Sequence, residues 1–396
     1  MLATSKEITQ ISMKLLLYIF ISIILISCRT NNSENTQTLL DKEVINSIDT
    51  LFSDFNNLNS PGFAIGILKD SSVLYKSGYG AANLDYYIPI DNNTAFDIAS
   101  VSKQFTAACI ALLIMDGKLT LNTPAQDYIP ALSKYQDTIR IKHLIYNTSG
   151  ITDYFKLPRL NKSSWLDFHY FDTEEAIKTS LRQDTLSFTP GDKWDYSNVN
   201  FMLLTKVVEK ISGKSFPDFI KERLFIPLEM KNTLVNDDIT AIIKNRATPY
   251  NPRNSLYVNA YKKEGIKVSE NGDWIQHNRN SPHYGGSGII STIDDLIKWE
   301  QNFFNQKYGG TEFYLLMHQR MQFNHNRTNQ AFGLYFGTYK ERGFVAWEGA
   351  TSGISSQIIR FPDQKVAIIV LSNLGSGAAS NKANEIADVL IKASEL

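Results

Sequence analysis

Strand-like apolar runs stand at both ends of this chain, and helical patterns lie between them. Residues 63–68 and 72–76 are joined by a short polar turn, which predicts a β-hairpin. Four further runs, separated by turn residues, lie near the C-terminus at 331–339, 343–350, 355–361 and 366–371. Because strands pair in order to bury their apolar faces, we predict an α+β fold with one antiparallel sheet that is built from both chain ends and flanked by helices. The middle of the chain then forms a mostly helical inserted subdomain.

Three segments show the apolar periodicity of helices, namely 42–58, 201–211 and 380–394. The stretch 246–284 is instead rich in asparagine, tyrosine and charged residues and has no clear helical period. A long segment of this kind within a compact domain is more often functional or disordered than structural. We interpret it either as a wall of a substrate cleft or as a loop without such a role.

The N-terminus carries a short apolar run that is typical of export. After Lys14, residues 15–27 are apolar or small, and the run ends directly at Cys28. The run is too short for a comfortable membrane span and fits the apolar core of a secretory signal. Its end, Leu-Ile-Ser-Cys, resembles the lipobox of bacterial lipoproteins, in which the cysteine is lipidated. The alternative is a plain signal peptide with an incidental cysteine.

We therefore expect a lipoprotein-type signal peptide over residues 1–27, lipidation at Cys28 and a flexible polar tether over residues 28–45. The protein would be exported and anchored by lipid to a membrane of the bacterial cell envelope, on its periplasmic or surface side. Translation starts at either Met1 or Met13, since the first twelve residues add polar positions that such a signal does not need.

Composition excludes several classes of function. The 40 basic and 40 acidic residues give a net charge of zero, so nucleic acid and other polyanions are not favoured as partners. The six histidines lack metal-site spacing, so we expect neither a metal nor another cofactor. The sequence has no Gly-x-Ser-x-Gly elbow and no nucleotide-binding loop. Cys109, inside an apolar helical run, is expected to be a small buried hydrophobe.

The most specific chemical motif is Ser100-Val101-Ser102-Lys103, which opens the apolar run 104–115. On a helix, residues three apart share a face, so the Lys103 amine can reach the Ser100 hydroxyl and act on its proton without a histidine. This spacing predicts a Ser-x-x-Lys nucleophile. The alternative is an ordinary exposed Ser/Lys pair at a helix start, because so short a motif also occurs by chance.

Two later clusters supply the partners that such a nucleophile needs. Tyr196 and Asn198 stand two residues apart, just before the predicted helix 201–211, and offer a phenol and a carboxamide for acid/base work and polar anchoring. Trp347-Glu348-Gly349-Ala350 lies on a predicted strand near the C-terminus.

In this order, the three clusters resemble those of the serine β-lactamase and penicillin-binding protein superfamily, in its class C β-lactamase-related, esterase-like branch. Segments 141–151, 227–230 and 285–296 are similar to stretches of that branch and occur in the same order. The resemblance runs from about residue 46 to the end, so we predict a β-lactamase-related serine hydrolase domain over 46–396.

The resemblance implies an acyl-enzyme on Ser100, with an oxyanion hole at the backbone N–H groups of Ser100 and Ala350. Lys103 and Tyr196 jointly serve as general base and later general acid, and the sequence does not divide these roles between them. Asn198 is expected to orient Lys103 and to bind substrate, and Gly349 to allow substrate to approach the strand. His143 and Asp153 are expected to serve packing and turn formation.

Trp347 departs from the family pattern, which usually has lysine or histidine at this position to hold a substrate carboxylate. If strand alternation turns Trp347 and Gly349 toward the cleft and Glu348 away, the site offers an apolar face there. This favours an ester or other neutral acyl substrate. The alternative is a core tryptophan, with the carboxylate held by Arg342 or Arg279.

The expected partner is thus a small-molecule ester, amide or D-peptide. The alternative functions are a D-amino-acid peptidase or carboxypeptidase, a β-lactamase, and a non-catalytic sensor that uses the same fold. The oligomeric state stays open.

Overall fold

The computed structural model describes residues 40–159, 165–323, 326–327, 329–375 and 377–396. The predicted signal peptide, the lipidation at Cys28 and the tether up to residue 39 lie outside the described residues. Helix formation begins at Lys42 and Leu40 is buried, so the last residues of the predicted tether already belong to the folded part. No helix of the described part is both long enough and apolar enough to span a bilayer.

One six-stranded sheet forms the centre. Its strands are β1 (Phe63–Lys69), β2 (Ser72–Tyr79), β3 (Tyr335–Tyr339), β4 (Arg342–Thr351), β5 (Ile354–Phe361) and β6 (Val366–Ser372). They lie in the order β3-β4-β5-β6-β1-β2, and every neighbouring pair is antiparallel. Phe63 of β1 lies opposite Ser372 of β6, so the two chain ends meet in the middle of the sheet. The predicted fold class is confirmed.

Helices and short strands form part of the remaining described chain. The helices are α1 (Lys42–Leu51), α2 (Ser102–Met115), α3 (Ile141–Ile145), α4 (Thr173–Ser180), α5 (Asn198–Ser212), α6 (Phe216–Ile220), α7 (Ser255–Lys263), α8 (Ile293–Asn305), α9 (Gly310–Met317) and α10 (Ala378–Lys392). In the described part of the chain, short strands form four small sheets. One has three strands, in which Ile289–Ser291 lies between Phe96–Asp97 and Leu234–Val235. The other three are pairs: Ala81–Asn83 with Ile88–Pro89, Tyr250–Pro252 with Trp274–Gln276, and Gln322–Phe323 with Asn326–Arg327.

The sheet is covered on both faces, which gives three layers. The terminal helices α1 and α10 pack on one face, where the alternate β1 residues Ile65 and Ile67 are buried. Helix α8 packs on the other face, and the buried helix α2 belongs to the same apolar cluster. A Cβ added to Gly66 would lie only 3.1 Å from the Ile293 side chain, so the glycine lets α8 lie close to the sheet.

Two predicted boundaries were wrong by several residues. The helix predicted over 42–58 ends at Leu51, because the asparagine-rich segment after it turns back on itself, with Asn57 Oδ1 accepting from the Asn59 N–H at 2.9 Å. The strand predicted from residue 331 begins only at Tyr335, since Gly333 (φ +63°) makes a turn against the backbone of Lys103.

The stretch 246–284 also differs from the predicted loop, because it contains two short strands and helix α7. Asn254 caps α7 by accepting a hydrogen bond from the Tyr257 N–H, and Tyr261 is the buried residue of this helix. A short helix with polar residues on most of its surface leaves little apolar periodicity to read.

Candidate active site

Ser100 lies at the junction between a short strand and a buried helix. Strand Phe96–Asp97 precedes the 3₁₀ turn Ala99–Val101, which leads into α2. Ala99 has φ of +45°, a left-handed conformation that is costly for a residue with a Cβ. The Asp97 carboxylate accepts a hydrogen bond from the Ala99 N–H at 2.8 Å, which fixes the backbone that presents Ser100.

Lys103 follows in the first turn of α2, and its side chain is fully buried. Its Nζ donates to Asn198 Oδ1 at 2.8 Å, to the backbone oxygen of Gly286 at 2.5 Å and to Ser100 Oγ at 3.3 Å. It also lies 4.7 Å from the centre of the Tyr196 ring. The amine is therefore held against the candidate nucleophile by neutral groups alone.

Burial dominates the electrostatics of this amine. The loss of hydration lowers the pKa of Lys103 to about 7, and the charge of Asp153 offsets only part of that effect. In the neutral form, two N–H bonds can point to Asn198 and Gly286, which leaves the nitrogen lone pair for the Ser100 hydroxyl.

Tyr196 completes the group. Its Oη lies 2.6 Å from Ser100 Oγ and can donate to Asn198 Oδ1 at 3.3 Å. Burial raises the pKa of Tyr196 above its usual value, and the hydrogen bond with Ser100 offsets part of this rise. The structure thus brings the predicted residues Ser100, Lys103 and Tyr196 together, with the tyrosine as a neutral phenol.

Asp153 fixes the start of the helix that carries Asn198. Helix α5 begins at Asn198, and Ser197 before it makes no capping hydrogen bond through its side chain. Asp153 Oδ2 accepts instead from the backbone N–H groups of Asn198 and Val199, while Oδ1 caps its own turn by accepting from the Phe155 N–H at 2.9 Å. The sequence predicted the turn, but no local signal indicates a cap that comes from 45 residues away.

Trp347 lies on β4 beside Tyr196. The two rings stack with centroids 6.5 Å apart and an interplanar angle of 22°. The next residue, Glu348, lies on the opposite face of the strand, where it accepts a hydrogen bond from Ser380 at 2.9 Å. Glu348 and Ser380 nevertheless both border the cavity described below, so Glu348 is not turned away from that space as the sequence analysis expected.

Gly349 brings β4 against the Ser100 turn. A Cβ added there would lie 2.5 Å from the backbone oxygen of Ile98 and 2.8 Å from the Ser100 nitrogen. Only glycine allows so close an approach. Ala350 follows directly and borders the same space as Ser100, so the two backbone segments expected to form the oxyanion hole lie next to each other.

A cavity of about 700 Å³ opens beside Ser100 and follows the edge of β4. The ladder between β3 and β4 stops at Tyr335 opposite Ala346, so no described strand pairs with β4 on that side from Trp347 onward. Aromatic and aliphatic side chains supply most of the lining. The described lining contains no lysine, arginine or histidine, and Glu348 is its one carboxylate.

A second cavity, of about 130 Å³, also borders Ser100. Its wall holds Asp167, Arg279 and His283, all buried. The Arg279 guanidinium forms an ion pair with Asp97 and donates a hydrogen bond to His283 Nε2 at 3.2 Å. Asp167 and His283 were not predicted from the sequence, because residues so far apart in the chain form no motif.

Neither arginine considered as a carboxylate clamp faces the larger cavity. Arg279 is engaged by Asp97, and it lines only the smaller cavity. Arg342 lies at the start of β4 and donates to the backbone oxygen of Lys340 at 2.9 Å. Part of the stretch 246–284 does border Ser100, since it contributes Arg279 and His283 to the smaller cavity.

No group of three or more histidine, cysteine, aspartate and glutamate side chains in the described ranges is arranged to bind a metal. His143 instead caps α3, where its Nδ1 accepts from the Arg140 N–H at 3.2 Å. Burial, together with the neighbouring cations Lys142 and Arg140, lowers the pKa of His143 to about 4.

Comparison with known proteins was made by sequence and by structure. A family model described as Beta-lactamase matches residues 48–392. A D-aminopeptidase of Gluconobacter oxydans (strain 621H) is 25% identical over 331 residues, which are 83% of this chain and 59% of that protein. Penicillin-binding protein 4* of Bacillus subtilis (strain 168) is 28% identical over 342 residues, covering 82% of this chain and 71% of the relative. The chain therefore spans about three fifths of the D-aminopeptidase that it matches.

The fold is also similar to a solved structure of the D-amino acid amidase from Ochrobactrum anthropi SV3 in complex with D-phenylalanine. The TM-score is 0.71 at 20% identity, over 89% of this chain and 100% of the amidase. At this level of identity the likeness concerns the fold.

Proposed function

This chain belongs to the β-lactamase family, as its motifs predicted, and on that premise we propose that it is a serine hydrolase that forms an acyl-enzyme at Ser100. The carrying observation is the convergence of the Ser100 hydroxyl with a buried amine at 3.3 Å and a buried phenol at 2.6 Å. A hydroxyl is a weak nucleophile until a neighbouring base takes its proton, and this pair of groups supplies both a base and an acid.

Lys103 is the proposed general base. Its pKa of about 7 leaves a large neutral fraction at neutral pH, whereas the raised pKa of Tyr196 keeps the phenol protonated. The Ser100 proton moves to Lys103 as Oγ attacks the substrate carbonyl carbon. The backbone N–H groups of Ser100 and Ala350 then stabilise the tetrahedral oxyanion.

Tyr196 is the proposed general acid. Its hydroxyl gives a proton to the leaving group as the carbonyl–leaving-group bond breaks, and the proton held by Lys103 restores the phenol. A water molecule, deprotonated by the same pair, then attacks the acyl ester on Ser100 and frees the enzyme. Each proton is returned within one cycle, so no cofactor is needed.

The preferred substrate is an ester or another acyl compound with a neutral leaving group. Trp347 stacks on Tyr196, beside the place where the leaving group departs, and the described lining of the larger cavity offers no cation. A leaving group with a carboxylate would lose its hydration there without gaining a counter-ion, which is costly. This supports a neutral group over a β-lactam or a peptide with a C-terminal carboxylate.

A second candidate function is hydrolysis of amide bonds next to D-amino acids. It is favoured by the relatives named D-aminopeptidase and D-amino acid amidase. The proposed machinery serves esters and amides alike, since Tyr196 can protonate an alkoxide or an amine. Substrate choice is then a property of the two cavities.

Intact-protein mass spectrometry tests the acyl-enzyme. The protein is exposed to p-nitrophenyl acyl esters, D-alanyl peptide amides or penicillin, and a mass increase equal to the acyl group is expected with the esters. The adduct is expected to map to Ser100 and to be absent from Ser100→Ala, while the surface control Ser47→Ala keeps it. The proposal fails if no acyl donor and no fluorophosphonate attaches to Ser100 in the folded protein, which is the behaviour of a non-catalytic sensor.

We also propose that Cys28 anchors the protein to the cell envelope by lipid. The support is the apolar run that ends at this cysteine and the polar segment after it. Growth with a labelled fatty acid is expected to label the wild type and not Cys28→Ala. Equal labelling of the two, or none, would leave a plain signal peptide as the explanation.

A further inference from the structure

The smaller cavity contains a carboxylate that has no ion-pair partner in the part of the chain that the structure describes. The Asp167 oxygens accept hydrogen bonds from two neutral hydroxyls, Ser281 Oγ at 3.1 Å and Thr351 Oγ1. Among the described residues, Asp167 forms no ion pair with a lysine, arginine or histidine within 4 Å. A buried carboxylate is normally paired with a cation or with a ligand that supplies one.

The neighbouring cation is shared. Arg279 contacts Asp97 directly and acts on Asp167 only at longer range. Burial would raise the pKa of Asp167, but the charge of Arg279 and the hydrogen bond from Thr351 oppose that effect, and the pKa lies below its ordinary value, so the carboxyl stays ionised. Two carboxylates thus depend on one guanidinium.

The other titratable groups nearby do not supply the missing charge. Burial, with the repulsion from Arg279, lowers the pKa of His283 to about 3, and burial also lowers the pKa of His277, so both imidazoles are neutral near pH 7. Arg246 acts on Asp97 and does not line the cavity.

Tyr154 supplies a second polar group in the same wall. Tyr154 Oη is fully buried and makes no hydrogen bond with another described residue, and Tyr154 lines the cavity together with Asp167. A phenol oxygen can accept an N–H as well as donate. The cavity, of about 130 Å³, has room for a few water molecules or for one small organic group.

The position of this cavity decides which half of a substrate it receives. The leaving group must diffuse away from the acyl-enzyme, and the larger cavity provides that route, since it includes the exposed residues Trp194 and Tyr335. The acyl group stays bonded to Ser100 through both steps. A small cavity beside Ser100, with the buried charged groups Asp167 and Arg279 in its wall, suits the half that stays.

We propose that the smaller cavity is an aminoacyl site in which the Asp167 carboxylate binds the α-ammonium group of the acyl half of the substrate. Tyr154 Oη accepts a second N–H of that group, and the side chain is as small as that of alanine. The inference rests on the proposed acyl-enzyme at Ser100 and narrows its substrates to esters and amides of small amino acids with a free amino group.

A set of benzyl esters that differ only at the α-carbon tests this assignment. Benzyl propionate lacks the amino group, D- and L-alanine benzyl esters carry it as a cation for the most part at pH 7, and N-acetyl-alanine benzyl ester carries it without charge. Release of benzyl alcohol is measured by chromatography. In the wild type, kcat/KM for at least one alanine ester is expected to exceed that for benzyl propionate by at least about tenfold, with the acetylated ester slowest.

Asp167→Asn keeps the shape of the side chain and removes its charge. The ratio of kcat/KM for the preferred alanine ester to kcat/KM for benzyl propionate is expected to fall about 100-fold in the variant, as for the loss of one partner of a buried charge pair. The matched control is Asp184→Asn, because the Asp184 side chain is 98% exposed and its loss tests net charge alone.

The outcomes separate the two levels of the proposal. If the wild type cleaves benzyl propionate as fast as both alanine esters, the aminoacyl site is wrong and the proposed hydrolase stands. If the acetylated ester is preferred, the cavity binds a hydrogen-bond acceptor through the unpaired Arg279 Nε, and the ammonium assignment is wrong. If no ester is cleaved or attached to Ser100, both proposals fail. The comparison of the esters on the wild type tests the aminoacyl site even if Asp167→Asn does not fold.

Discussion

Lys103 and Arg279 are two buried cations whose surroundings differ in one respect. Both are shielded from water, with exposed fractions of 0% for Lys103 and 8% for Arg279. The Arg279 guanidinium meets the Asp97 carboxylate directly. Among the described residues, the Lys103 amine makes hydrogen bonds with a hydroxyl, an amide oxygen and a backbone oxygen, and none with a carboxylate.

That difference sets the charge of each group. Burial opposes the charge on Arg279, but the carboxylates of Asp97 and Asp167 outweigh it and raise its pKa. Burial acts on Lys103 almost unopposed and lowers its pKa to about 7. Neutral acceptors satisfy hydrogen bonds without compensating charge, so a buried amine among them gives up its proton near neutral pH.

The comparison teaches that burial alone does not create a base. A buried cation that faces a carboxylate stays charged and forms a structural ion pair, as Arg279 does. Without a facing carboxylate, the buried Lys103 amine gives up its proton, and its nitrogen lone pair can act on Ser100. The following predictions change one partner at a time, from the largest expected effect to the smallest.

Replacing Lys103 by methionine removes the amine and keeps most of the volume. We expect kcat/KM for a p-nitrophenyl ester to fall about 1000-fold, since a positioned general base contributes a factor of this order. The free energy of unfolding, measured by urea denaturation, is expected to stay equal or to rise, because a desolvated amine is replaced by an apolar chain.

Lys206→Met is the control for this loss. Lys206 is a half-buried lysine with two carboxylate partners, Glu174 and Glu209, and lies outside the proposed machinery. It is expected to keep full activity. If Lys103→Met kept its activity as well, Tyr196 would be the base.

Asp97→Asn removes the partner of Arg279 and leaves its charge buried. We expect the free energy of unfolding to fall by about 3 to 5 kcal/mol, as is typical when one half of a buried ion pair is removed. Urea denaturation followed by fluorescence measures the loss. Asp184→Asn, at an exposed pair, is expected to change it by less than about 0.5 kcal/mol, and an equally small effect in Asp97→Asn would mean that the pair contributes no stability.

Asn198→Asp gives Lys103 the carboxylate partner that Arg279 has. A negative charge at the position of Asn198 Oδ1, 2.8 Å from Nζ, stabilises the ammonium form and raises the pKa of Lys103 by at least about one unit. The acid limb of the kcat/KM profile, expected near pH 7 in the wild type, then moves upward, because a higher pH is needed to free the amine. Activity at pH 7 falls by at least about fivefold, because the neutral fraction of the amine falls by that factor. If kcat/KM fell but the acid limb of its pH profile did not move, a group other than Lys103 would cause that limb.

The sequence predicted the fold through features that are local. The run that forms β6 is apolar at nearly every position, as a strand buried on both faces is. The short motifs placed Ser100, Lys103, Tyr196 and Asn198 on two elements, and the structure brings those elements together. Each of these signals lies within a few residues.

Contacts between distant segments left no such signal. The pair of Asp97 and Arg279 joins positions 182 residues apart, and Thr351 meets Asp167 across 184 residues. From sequence alone, a single charged residue is expected to be exposed to solvent, because a buried charge is recognised only when its partner is known. The smaller cavity, built from such pairs, was therefore found only from the structure.

Asp153→Asn gives the smallest and most specific test. The Asp153 charge raises the pKa of Lys103 against the larger effect of burial, so its removal is expected to move the acid limb of kcat/KM to lower pH by less than about one unit. This shift has the opposite sign to that of Asn198→Asp.

The same substitution weakens the cap at the start of α5, because an amide oxygen replaces a carboxylate that accepts from Asn198 and Val199. A loss of about 1 kcal/mol in unfolding free energy is expected. A stability loss without a downward shift would make Asp153 a cap only, whereas both changes together would show that the helix start and the basicity of Lys103 depend on one carboxylate.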